Sequence, residues 1–287
     1  MSSTVLLTVV TLSLIALAAS VILYFVAQKF KVVEDPRIDE VQALLPAANC
    51  GGCGFAGCRN FAEALVKADT FEGLNCPVGG ATVMASAAEL LGKTPPAVEP
   101  KVAVLKCNGS PDNRARTNRY DGVLNCRISH SLYLGETDCS YGCMGYGDCV
   151  TACAFDAIHI DMATGLPVVV DDKCVACGAC VKACPRNLIE LRKKAKKDRK
   201  IYVACSNCDK GGPARKACKV ACIGCGKCVR VCAFDAITIE NNLAYIDAQK
   251  CTFCRKCVAE CPTGAIIEVN FPPRKPKEEV KTETVTT

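Results

Sequence analysis

The sequence predicts an α+β chain with a single N-terminal transmembrane helix, a small four-cysteine domain and two tandem copies of one cysteine-rich module. Three observations predict it. Val5 to Ala27 is an apolar stretch without a charge, Ala154-Phe-Asp-Ala-Ile158 returns as Ala233-Phe-Asp-Ala-Ile237, and 25 of the 287 residues are cysteine, many of them in tight repeated runs. With two histidines and no tryptophan beside them, the cysteines are the main chemical resource. Their C-x2-C-x2-C spacing and odd number argue for metal ligation over a disulfide framework, which would strand one thiol.

The first element is the anchor, residues 1–28. As a helix its roughly 23 apolar residues reach about 34 Å, enough for a hydrocarbon core of about 30 Å. Tyr24 and Phe25 suit the headgroup boundary, and Lys29 and Lys31 follow at once, while Met1 to Thr4 carry no side-chain charge. Positive-inside logic puts the bulk of the chain in the cytoplasm, on the inner face of the cell membrane. A cleaved signal peptide, the competing reading, starts with a basic segment and has a shorter apolar core.

Residues 29–93 form the second element, with four cysteines and a helical stretch at Arg59 to Lys67. The stiff Thr94-Pro-Pro-Ala-Val-Glu-Pro100 closes it and opens a connecting segment, 94–135, expected to let the downstream modules swing. The first module follows at 136–191, a basic linker at 192–217, the second module at 218–270 and a disordered tail at 271–287. The flanks upstream of the modules match loosely, Val102-Ala-Val-Leu-Lys-Cys107 against Ile201-Tyr-Val-Ala-Cys205. Much of the net charge of +6 sits in the run from Arg192 to Lys200. Such a run reads first as a solvated linker, then as a landing patch for an acidic partner or anionic lipid. Without interleaved aromatics it does not read as a nucleic-acid site.

The strongest motifs are Cys174-x2-Cys177-x2-Cys180-x3-Cys184-Pro185 and Cys251-x2-Cys254-x2-Cys257-x3-Cys261-Pro262. Both match the bacterial ferredoxin run, in which three thiolates wrap one [4Fe–4S] cluster and the fourth serves the cluster of the partner half. In the second module Cys222, Cys225, Cys228 and Cys232 supply the companion run. Cys222, Cys225, Cys228 and Cys261 are therefore expected to hold one cluster, and Cys251, Cys254, Cys257 and Cys232 another. The companion run of the first module is irregular, Cys139-x3-Cys143-x5-Cys149-x3-Cys153, with Tyr146 where the middle cysteine would fall. Letting Cys139 fill that vacancy assigns Cys139, Cys143, Cys149 and Cys184 to one cluster, and Cys174, Cys177, Cys180 and Cys153 to the next.

Nearer the anchor, Cys50-x2-Cys53-x4-Cys58 with Cys76-Pro77 forms a self-contained set of four thiolates. Gly51, Gly52, Gly54 and Gly57 let the backbone wrap closely around a bulky group and leave amides for its sulfides. Five [4Fe–4S] clusters and about twenty irons follow. Structural zinc is the competitor, but two separated pairs suffice for zinc and leave the triplet-plus-one runs unexplained. Gly52-Cys-Gly54-Phe-Ala-Gly57 formally matches a dinucleotide fingerprint. No strand-like run precedes it and cysteines occupy the turn, so no nucleotide site is read. Cys107, Cys126, Cys205, Cys208 and Cys218 are left over, as buried thiols, ligands of a further cluster or alternates for a neighbour. Buried thiols are slightly favoured. His130 and His159 read as ordinary hydrogen-bonded histidines.

One apolar anchor, then Cys50-Gly-Gly-Cys-Gly-Phe-Ala-Gly-Cys58 with a distant Cys76-Pro77, then ferredoxin modules, resembles the B-subunit family of Rnf ion-translocating ferredoxin:NAD oxidoreductase complexes. Asn113-Arg-Ala-Arg-Thr-Asn118 and Gly135-Glu-Thr-Asp-Cys-Ser-Tyr-Gly-Cys143 are also similar to that family. The departure is the second ferredoxin module, since short members carry one, so cluster number and order are not carried over. The resemblance implies an electron-transfer subunit of a membrane translocase. It would accept electrons from soluble reduced ferredoxin and relay them to membrane subunits, in a complex that moves Na⁺ or H⁺. This chain would have no complete active site of its own, and NAD would be reduced elsewhere. The alternatives are an iron–sulfur subunit anchoring a peripheral dehydrogenase or hydrogenase, and a reductase of a redox-sensing regulator.

Overall fold

The structure, a computed structural model, describes residues 3–29, 35–97, 99–133 and 135–273. Lys31 and the tail from residue 274 lie outside the described residues. Helix α1 (Ser3–Lys29) is apolar on every side, with Leu6–Lys29 long and apolar enough to cross a membrane. A helix with no polar face has nothing to keep toward water, and its side chains from Leu6 to Lys29 are exposed.

Three short helices make the next domain: α2 (Arg37–Leu44), α3 (Cys58–Lys67) and α4 (Gly80–Leu91). Their apolar residues fall at helical spacing, and Ile38, Val41, Phe61, Leu65 and Met84 meet Phe71 from the α3–α4 connection in one core, each at most 4% exposed. Helix α4 ends at Gly92, whose φ of 65° favours glycine. The next residue closes a second helix: the Lys93 ammonium donates to the carbonyls of Leu65 (2.7 Å) and Val66 (3.2 Å) and to that of Ala68. A cation on the last carbonyls of α3 satisfies acceptors the helix leaves open and opposes its dipole.

The two modules are built alike. In the first, β1 (Lys101–Leu105) leads through α5 (Cys126–Leu132) and α6 (Asp148–Thr151) to the hairpin of β2 (Ile158–Ile160) and β3 (Pro167–Val169). Helix α7 (Ala179–Ala183) follows, and β4 (Ile189–Lys193) returns antiparallel to β1. In the second, β5 (Lys200–Val203) and α8 (Gly211–Ala217) precede α9 (Lys227–Arg230), the hairpin of β6 (Ile237–Glu240) and β7 (Leu243–Ile246), and α10 (Lys256–Glu260). Strand β8 (Ile266–Val269) then returns to β5. Asp156 and Asp235 hold the same place in the repeat and share one conformation, at φ 49° and 48°. A short polar side chain tolerates that left-handed turn.

Two stretches expected to connect modules are structured parts of them. The segment 94–135 contributes β1 and α5, and the basic run contributes the end of β4 and the start of β5. The strands this run helps to form are packed on both sides of the junction, and Arg192 and Lys200 are buried there. Lys200 pairs with Asp171 at 2.6 Å. The Arg192 guanidinium pairs with Glu190 at 3.3 Å, donates to the Ile246 carbonyl of the second module and lies over the Tyr245 ring. Val104 packs against Tyr202 and Ala204, with Ile267 and Val269 beside them, so the β1–β4 and β5–β8 sheets share a core. The modules are joined back to back. Glu99, at the end of the proline-rich stretch, is tied to both: Lys193 lies 2.6 Å away and the Gln249 amide donates at 3.2 Å.

Candidate metal centres

All 25 cysteines are free thiols, and 24 of them fall into six groups of four. The N-terminal group is Cys50, Cys53, Cys58 and Cys76. Cys58 opens α3, where its amide donates to the Asn49 side chain at 2.8 Å, and Gly79 N–H donates to Cys76 Sγ at 3.3 Å. The glycine loop follows a helix and a turn, with no strand before it among the described residues, so the dinucleotide fingerprint lacks its structural context.

In the first module Cys174, Cys177 and Cys180 meet Cys153, as the ferredoxin spacing predicts. In the second, Cys222, Cys225 and Cys228 meet Cys261 around one cavity, and Cys251, Cys254 and Cys257 meet Cys232 around another. The fourth cysteine of each run crosses to the partner half because the short helix that carries the third cysteine turns the chain away from its own loop.

The remaining group of the first module differs from the expectation. Cys143, Cys149 and Cys184 surround a cavity with Cys126, not with Cys139. Cys126 is the first residue of α5, where Asp148 Oδ1 accepts its amide at 2.9 Å and Asn125 caps the helix. Asp148 is also the first residue of α6, which carries Cys149, so one carboxylate sets the two helix starts side by side. Sequence proximity suggested Cys139, but that thiol faces the junction between the modules. There it lines a fourth cavity with Cys107, Cys205 and Cys218. Only Cys208 stands outside the groups, its thiol directed at the Ser206 carbonyl at 3.7 Å.

The four cavities, at Cys126, Cys222, Cys139 and Cys232, are alike in size, and each is ringed by four cysteines. Among the described residues no three histidine, cysteine or acidic side chains close tightly enough on a point to hold a single ion. Thiols spread around a void fit a wider group, and a cubane with four thiolate ligands is such a group. Backbone amides also point at the sulfurs. Ala157 N–H donates to Cys153, Leu188 N–H to Cys184 and Ala244 N–H to Cys222, each at 3.4 Å. Such donors stabilise negative sulfur and raise the potential of a bound cluster.

Without metal the buried thiols favour their neutral form. Burial, reinforced by neighbouring cysteines, pushes Cys143, Cys149 and Cys257 up to about 12, and burial does the same to Cys205. Two guanidiniums offset the charge a loaded site would carry. Arg114 donates to the carbonyls of Gly109 and Cys143, and Arg186 donates to that of Gly142. Burial and the nearby Arg114 lower the pKa of Arg186, and the adjoining thiols oppose the shift.

The six groups succeed one another along the molecule. The N-terminal loop abuts the first module so closely that a methyl added to Gly52 would lie 2.9 Å from the Cys177 carbonyl oxygen. Cys180 faces Cys149 across the first module, Cys143 N–H donates to Cys107 Sγ at 3.4 Å, and Cys205 adjoins Cys222. At the far end Cys225 and Cys254 are exposed.

Three family models match parts of the chain: a putative Fe–S cluster domain over residues 45–77, a 4Fe–4S binding domain over 167–190 and a 4Fe–4S dicluster domain over 221–265. Among characterised proteins the chain is 46% identical to the B subunit of the Na(+)-translocating ferredoxin:NAD(+) oxidoreductase complex of Acetobacterium woodii, over 84% of this chain and 71% of that protein. It is 40% identical to the B subunit of the proton-translocating complex of Clostridium ljungdahlii, over 92% of both chains. It is also 40% identical to the B subunit of an ion-translocating oxidoreductase complex of Methanosarcina acetivorans, over 93% and 99%.

Proposed function

Because the chain belongs to the family of B subunits of ion-translocating ferredoxin:NAD(+) oxidoreductase complexes, we propose that it receives electrons from a soluble reduced ferredoxin at its second module and delivers them to membrane subunits at its N-terminal end. It is an electron-transfer subunit of an oxidoreductase, and the family favours this role over a dehydrogenase anchor or a regulator's reductase. The observation that carries the direction is the exposure of Cys225 and Cys254, at the far end of the succession from α1. Lys227, Arg230, Lys250 and Lys256 are exposed beside them in sequence, which suits an acidic partner.

Five sets of residues would hold [4Fe–4S] clusters: Cys50, Cys53, Cys58 and Cys76; Cys153, Cys174, Cys177 and Cys180; Cys126, Cys143, Cys149 and Cys184; Cys222, Cys225, Cys228 and Cys261; and Cys232, Cys251, Cys254 and Cys257. Bound clusters supply one-electron acceptance and donation at spacings the fold fixes. The chain's own part is to bind and orient them, to aim amides at their sulfurs and to keep water from all but the outermost. With the N-terminal set beside the anchor, the chain's bulk lies on the cytoplasmic face of the inner membrane. Helix α1 carries no charged side chain before Lys29, so it offers no ion path of its own, and the chain feeds the pump without being the pump.

The test is electron uptake by the purified full chain from reduced ferredoxin. Reduction should saturate with ferredoxin and weaken as salt rises, and Lys227→Glu with Lys256→Glu should slow it while dithionite still reduces the chain fully. Absence of any ferredoxin-dependent reduction would sink the reading.

A further inference from the structure

We propose that Cys107, Cys139, Cys205 and Cys218 bind a sixth [4Fe–4S] cluster, seated at the junction between the two ferredoxin modules. The inference rests on the electron-transfer reading and deepens it. Without an occupant here, the thiol sites of the first module would be separated from those of the second by an empty void in the middle of the relay.

The four thiols come from four separate parts of the chain, two in each half. Cys107 follows β1 and Cys205 follows β5, so the same position of each repeat supplies one ligand. Cys139 comes from the loop before α6, and Cys218 follows α8. Direct bonds hold the halves in register at this place. Asn108 N–H donates to the Ala204 carbonyl at 3.0 Å, Ser206 Oγ–H to the Lys106 carbonyl at 3.1 Å, and Lys219 N–H to the Asn113 carbonyl at 2.9 Å.

The cavity matches its neighbours in volume and in its supply of donors to sulfur. It is alike in size to the two sites in the second module, whose cysteines follow the ferredoxin run, and like them it is ringed by four cysteines. Cys107 Sγ accepts from Cys143 N–H and Cys205 Sγ from Asn207 N–H, both at 3.4 Å, and Cys139 Sγ accepts from Asn207 Nδ2 at 3.6 Å. Asn207 is 1% exposed, and its carbonyl oxygen is taken by Asp209 N–H at 2.7 Å, so its amide nitrogen is aimed at the sulfur by construction. A buried amide spent on a thiol is costly unless that sulfur carries charge, as a cluster-bound thiolate does. Arg114 lines the same cavity. Zinc on four cysteines would need the sulfurs drawn in to about 2.3 Å from one centre, which these thiols do not approach.

The experiment counts metal on the full chain, purified anaerobically in detergent. Wild type should carry about twenty-four irons with equal acid-labile sulfide. Cys107→Ser with Cys218→Ser should lower both by about four, and Cys208→Ser should lower neither. Wild-type iron in the double variant overturns the proposal, as does one zinc per chain that the double variant loses. Should the double variant not fold, Asn207→Leu decides. Removing the donor to Cys139 should leave the iron count unchanged and lower the midpoint potential of one cluster among six. A redox titration identical to wild type would overturn the assignment. Failure of the wider reading looks different: Cys254→Ser would then also retain all its iron, or the loaded chain would accept nothing from ferredoxin.

Discussion

Replacing Gly52 by alanine should loosen the N-terminal domain from the first module without unfolding either. The added carbon would lie 2.8 Å from Pro77 Cγ, 2.9 Å from the Cys177 carbonyl oxygen and 3.0 Å from Cys177 Cα. Ordinary contact begins near 3.4 Å, so the two surfaces must part by about half an ångström. Because Cys177 contributes backbone, no side chain can swing aside to relieve the clash on that side. Overpacking of this kind costs about 1–3 kcal/mol, which lowers the docked population roughly 5- to 150-fold relative to the undocked one. Hydrogen exchange of the amides at 50–54 and 174–178, with iron counted in parallel, reads the effect directly. Faster exchange in both loops at unchanged iron is the expected result, together with slower delivery of electrons to the N-terminal site after a pulse of reductant. Wild-type exchange and wild-type delivery in the alanine variant would refute the claim that this contact sets the approach of the two sites.

Cys76→Ser and Cys126→Ser should each remove about four irons, measured with acid-labile sulfide, and leave the second module reducible. Arg192→Ala should cost about 2–3 kcal/mol, because the Ile246 carbonyl loses a charge-assisted donor; a thermal melt followed at the cluster absorbance measures it. The metal-free chain should lose stability as pH rises. Folding raises Cys143, Cys149, Cys205 and Cys257 from 9.0 to about 12, so the neutral thiols stabilise the fold fully below pH 9, and that support is lost as pH climbs through 12. In the loaded chain those thiols are already deprotonated by iron, so circular dichroism across this window should fall only for the metal-free form.

The anchor and the repeat were legible in the sequence because each depends on local pattern: an uncharged run of membrane length, and a pentapeptide that returns. The groupings around Cys174, Cys222 and Cys251 were legible for a similar reason, since the ferredoxin run places its ligands by short spacing. Cys126 was not, because its partners are chosen by the Asp148 carboxylate, which binds the start of α5 from across 22 positions. Cys139 misled because nearness along the chain stood in for nearness in space. The basic run misled for the opposite reason: counted as charge it reads as a linker, whereas its ends belong to two packed strands that bury Arg192 and Lys200. One signal for the remaining thiols lay in arithmetic, since 25 cysteines are six fours and one over, and the one over is Cys208.

The joint between the modules divides its thiols evenly, Cys107 and Cys139 upstream of the basic run and Cys205 and Cys218 downstream of it. A nascent chain released after the first half would hold two of the four and could retain no metal there. Maturation at that place therefore waits on synthesis of the second half, and a truncated product would carry an open circuit in place of a working wire.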